Sequence, residues 1–60
     1  MKIEIPRKNW TSELSDAIRN SSDGDVIVCH GPAMMELGKL AAARMCPEKN
    51  ISFEVEGEII

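Results

Sequence analysis

The stretch Ser21-Ser22-Asp23-Gly24-Asp25-Val26-Ile27-Val28-Cys29-His30-Gly31-Pro32 decides how this chain folds. It begins with the strongest turn signal in the sequence, Ser-Ser-Asp-Gly-Asp, whose short polar side chains and glycine favour reversal of the backbone. Four apolar residues follow without alternation, as suits a central strand covered on both faces. His30-Gly31 breaks the run. Pro32 then stands where the first position of a helix loses nothing by lacking an N–H. Turn, strand and helix start succeed one another directly, which is the middle of an alternating β/α layout.

Working outward toward the N-terminus, Leu14, Ala17, Ile18 and Ser21 recur at i, i+3, i+4 and i+7 and predict a helix from about 12 to 21. Thr11 or Ser12 is its expected N-cap, Glu13 and Asp16 suit its first turns, and Trp10 can close the start as a hydrophobic staple on Leu14. Ile3 and Ile5 alternate with Lys2 and Glu4, a short half-buried strand ended by Pro6.

In the other direction a second helix is expected from about 33 to 46, stopped by Pro47. At 100° per residue Met34, Leu37, Gly38, Ala41 and Met45 share one face, with Glu36, Lys39, Ala43 and Arg44 roughly opposite. Glycine in mid-helix costs about 1 kcal/mol relative to alanine. Gly38 beside Ala41 and Ala42 therefore predicts close approach to a neighbouring element. Ile51, Phe53 and Val55 alternate with Ser52, Glu54 and Glu56 as a third half-buried strand. Gly57 ends it or turns the chain, with Glu58-Ile59-Ile60 as an extension or short fourth strand.

The expected fold is α/β, a small two-layer β-α-β-α-β sandwich over residues 1–60 as a single domain. Its three-stranded, mainly parallel sheet carries two helices on one face, because right-handed crossovers between sequentially added strands put them there. The orientation of the first strand stays open. Because the second strand is apolar on both sides, either Val26 and Val28 or Ile27 and Cys29 must face away from the helices.

Sixty residues allow little core. A chain of this size buries only about 60% of its unfolded surface, and small scaffolds compensate with disulfides, a metal or association. Two cysteines are too few for a disulfide framework. A hydrophobic fraction of 43% with 28% charged residues excludes a disordered or low-complexity chain. No apolar run is long enough for a membrane span and no leader segment is visible, so a cytoplasmic protein without membrane contact is expected. The net charge of −3 has the wrong sign for a nucleic-acid binder. The charges of residues 1–46 balance, so the excess lies in Glu48, Glu54, Glu56 and Glu58 against Lys49.

Four kinds of chemistry are compatible with these residues. His30, Gly31 and Ala33 join a strand end to a helix N-terminus, a place that favours anions, although no phosphate-binding fingerprint accompanies them. Cys29, His30 and Cys46 lack the spacing of a zinc site, so no metal and no cofactor are expected. Cys29 and His30 are strand neighbours pointing to opposite faces, and one histidine with so small a core argues against catalysis. Association is the leading expectation. Ile27, Cys29, Ala33 and Leu40 are its interface candidates, the partner being a second copy of the chain or a larger protein. Lys2 and Glu54 or Glu56 could pair across a two-fold axis. Met1, Met34, Met35 and Met45 would add adaptable apolar surface.

The layout of helix, Asp23-Gly24-Asp25-Val26-Ile27-Val28, short loop, Pro32-Ala33, helix and strand, over roughly residues 12–56, resembles the small two-layer α/β sulfur-carrier family. That family's Cys-Pro-x-Pro before the first helix is absent; Asn9-Trp10-Thr11-Ser12 stands in its place. The resemblance thus implies a two-layer architecture and carries no function over. In size and style the chain is also similar to small accessory proteins of bacteria and phages.

Overall fold

The computed structural model describes residues 1–56. The elements are β1 (Lys2–Glu4), α1 (Trp10–Asn20), β2 (Val26–Cys29), α2 (Pro32–Met45) and β3 (Ser52–Val55). The three strands form one sheet in the order β1-β2-β3, and both pairings are parallel. This is the expected small α/β sandwich, and β1, whose direction the sequence left open, runs parallel to β2. The turn or fourth strand expected at 57–60 lies outside the described residues. Among the described residues no helix is long and apolar enough to cross a membrane.

Register puts Ile3, Ile27 and Phe53 in one row across the sheet, and Cys29 beside Val55. Alternation then sends these side chains to the helix side, where Ile5, Ile27 and Cys29 join Leu14, Ile18, Met34 and Cys46 in a single core. Trp10, Ala17, Met35, Ala41, Ala42, Ile51 and Phe53 pack around its margin. The opposite face carries Lys2, Val26 and Ser52 in one row and Glu4, Val28 and Glu54 in the next.

Three local structures differ from expectation. Helix α1 starts earlier, behind Asn9, whose backbone is left-handed with φ 57°; the Ser12 hydroxyl donates to the Asn9 carbonyl instead of capping with its oxygen. Trp10 is the first residue of α1 and packs half-buried against the core. Ser21 ends α1 as its C-cap and is itself buried, its hydroxyl donating to the Ile18 carbonyl at 2.8 Å.

Helix α2 begins at Pro32 as expected, but its inward face is rotated. Met34, Gly38 and the C-cap Cys46 are buried, with Met35, Ala41 and Ala42 half-buried. Leu37 and Met45, expected inside, are 50% and 41% exposed. The reason is contact distance. A β-carbon on Gly38 would lie 2.7 Å from Cε2 of Phe53 and 3.4 Å from Cδ1 of Leu14, so the small residues must face the sheet and Leu37 swings out.

The turn before β2 is held by side chains. Gly24 takes φ +90°, a conformation that favours glycine, and donates its N–H to the Asn50 carbonyl. Asp23 accepts from the Asn50 N–H, and Asp25 accepts from the Ser22 N–H. The ammonium of Lys49 donates to the Arg19 and Ser21 carbonyls at 3.1 and 2.6 Å, binding the α2–β3 connection to the C-terminal end of α1.

Candidate functional site

Parallel pairing places the carboxyl ends of all three strands at one end of the sheet. Glu4 closes β1, His30 follows β2 and Glu56 follows β3. The ladder continues past the strands through the Ile5 N–H to the Val28 carbonyl and the Glu56 N–H to the Cys29 carbonyl. Alternation carries Glu4, His30 and Glu56 onto the face away from the helices, where their side chains meet.

The imidazole of His30 is 13% exposed, and an acceptor stands at each of its nitrogens. Nε2 is bonded to the Ile5 carbonyl, and Nδ1 lies 3.1 Å from Oε1 of Glu56. Glu56 also meets Glu4. That hydrogen bond, with the Glu56 charge behind it and some loss of water, holds the Glu4 carboxyl above its ordinary pKa, and nearby His30 acts in the opposite direction. One ligand atom from each of the three residues lies within 4.8 Å of the others.

From the sequence, His30 belongs to an anion site with Gly31 and Ala33, and Glu56 is an alternative to Glu54 for pairing with Lys2. The His30 ring instead faces a carbonyl and two glutamates, a combination of the sign that repels an anion. Gly31 is extended, at φ −168° and ψ 164°, and nothing lies within 4 Å of the position its β-carbon would take. Neither strain nor close approach requires glycine there. From the sequence neither Glu4 nor Glu56 groups with His30, because each reads as the polar half of an alternating strand. Extending the parallel register one residue past β2 and β3 would have set His30 beside Glu56.

The interface candidates divide between the layers. Ile27 and Cys29 are fully buried under the helices and present no surface to a partner, so the pair on the open side is Val26 and Val28. Val28 is nevertheless only 8% exposed. Lys2 on β1 and Glu54 on β3 join at 3.1 Å across β2 and cover it. The pairing envisaged between two copies is made within one chain, and the open face lacks the expected apolar strip. Ala33 and Leu40 are exposed on α2, Leu40 at 61%. With Leu37 they form a stripe at i, i+4 and i+7, beside a shallow groove lined by Leu37, Leu40, Ala41 and Arg44.

Cys29 and Cys46 are free and buried, and burial raises the Cys29 thiol pKa, which disfavours its thiolate. Neither joins the His30 cluster. No protein family, curated protein or solved structure matches the chain.

Proposed function

We propose that this chain is a non-enzymatic interaction module that pairs with a second copy of itself through the outer face of α2. The observation that carries the reading is the stripe of Ala33, Leu37 and Leu40, with both leucines at least half exposed. Large apolar side chains grouped on one face of a small domain mark contact surfaces more often than they occur by chance.

Charge placement supports a second copy as the occupant. Glu36 and Arg44 stand four residues to either side of Leu40 and flank the stripe. In an antiparallel pair of α2 helices with Leu40 on the two-fold axis, Glu36 of each copy faces Arg44 of the other, so both signs are matched twice. The exposed stripe contributes nothing to the core of the single chain. Its substitution therefore separates pairing from folding.

The test is sedimentation or light scattering over a range of concentrations, together with the melting temperature. The parent gains mass and melting temperature as concentration rises. Leu40→Lys stays folded and monomeric at every concentration. Glu36→Arg and Arg44→Glu each weaken the pair, and combining them restores it. A parent that remains at 6.6 kDa, with a melting temperature independent of concentration, overturns the reading.

A further inference from the structure

Three donors of two chemical kinds converge at the carboxyl end of the sheet, and their arrangement goes beyond an exposed acidic patch. We propose that Glu4, His30 and Glu56 form a binding site for one divalent transition-metal cation of the zinc class, through the His30 Nδ1 and a carboxylate oxygen from each glutamate.

The first support is the histidine's orientation. Nε2 faces the Ile5 carbonyl, which can only accept, so Nε2 carries a proton, and in the neutral ring the Nδ1 lone pair is turned to the glutamates. Metal-bound histidines are fixed in this way, by donating the second ring nitrogen to a carbonyl or carboxylate. The carbonyl belongs to Ile5, which is itself buried in the core, so the ring is anchored from outside the cluster.

The second is what that lone pair meets. Nδ1 lies 3.1 Å from Oε1 of Glu56, and a Glu4 carboxylate oxygen stands within 4.8 Å of the ligand atoms of both. Donor atoms this close need a positive centre between them, either a proton on Nδ1 or a metal ion that displaces it. Lys2, the lysine on this face, is committed to Glu54. A metal ion supplies that centre for all three groups at once.

The third is size. Zinc–ligand bonds of about 2.0–2.2 Å put the donors of a tetrahedral site roughly 3.3–3.6 Å apart. The three donor atoms, within 4.8 Å of one another, close to that by rotations of two exposed glutamate side chains. One imidazole with two carboxylates suits zinc, cobalt or nickel better than magnesium or calcium, which prefer all-oxygen shells. Three protein donors leave a fourth position for water. The site stands on the opposite face of the sheet from α2 and is independent of the pairing proposed above.

The experiment is calorimetric titration of chelator-treated protein with zinc chloride, with magnesium chloride as control, and a cobalt(II) spectrum of the same samples. Binding of one equivalent of zinc, no magnesium response, and a tetrahedral cobalt spectrum without thiolate charge-transfer bands are expected. Glu4→Gln and Glu56→Gln each lower the affinity by about tenfold or more while leaving the fold intact, because both side chains are exposed. His30→Ala abolishes binding. Absence of saturable zinc binding by the parent overturns the site. So does binding that survives both glutamine variants, which would mark a lone histidine, or a cobalt spectrum with thiolate bands, which would mark Cys29 or Cys46.

Discussion

At Gly38 two preferences oppose each other. Alanine there would gain about 1 kcal/mol of helix propensity. Its β-carbon would also sit 2.7 Å from the Phe53 ring, which must then give way. Gly38→Leu should lower stability by about 1–3 kcal/mol through overpacking, read from urea midpoints. Gly38→Ala should fall short of its propensity gain in the parent and recover it in a Phe53→Val background, so a double-mutant cycle returns a coupling between the two positions. Additive effects would mean that the ring already leaves room.

Asp25 gives a pH dependence at the same scale. The Ser22 N–H, and then the Met1 amine, hold its carboxyl below the ordinary value. A lowered carboxylate pKa stabilises the fold in full above the unfolded value, and the contribution is lost as pH falls through the folded one. Asp25→Ala should thus be less stable than the parent near neutrality, with the gap closing in acid. Urea midpoints of the two proteins across that range provide the measurement.

Among the elements, α1 is tied at its C-terminal end to a residue distant in sequence. Lys49 donates to two carbonyls at the end of the helix, where intrahelical partners run out. Lys49→Met retains most of the side-chain stem and loses both bonds. It should cost about 1–2 kcal/mol and speed amide exchange in the last turn of α1. Element order, the proline start of α2 and the strand alternation were legible because each depends on local chemistry. The phase of α2 was not. Periodicity alone placed Leu37 inward, and only the nearness of the Phe53 ring shows why Gly38, Ala41 and Ala42 displace it. The N-terminal start of α1 escaped for a similar reason, since Asn9 takes a left-handed conformation that no cap motif announces.

At the scale of the molecule, the sheet is covered by helices on one side and by its own charged side chains on the other. Composition indicated a small core, and strand alternation led to the expectation of an apolar strip on the open face that the structure does not have. It was not legible that Lys2 and Glu54, fifty-two positions apart, would close over Val28. The pair itself is exposed and worth no more than about 1 kcal/mol. Lys2→Ala should therefore cost more than Lys2→Met, because the alanine also uncovers Val28 while methionine replaces the lost stem. Thermal melts of the two variants at equal concentration make the comparison, and equal losses would assign the effect to charge alone.

The parallel arrangement of β1, β2 and β3 has a mechanical consequence. A chain held at Lys2 and Val55 is gripped at opposite ends of the sheet, because β1 and β3 run in the same direction with β2 between them. Tension along that line slides the strands past one another, and the ladder bonds of each pair bear the load side by side. Peeling from one edge would break them in succession. With only three and four residues in its outer strands, the sheet is short, yet it is oriented to resist stretching along its own length.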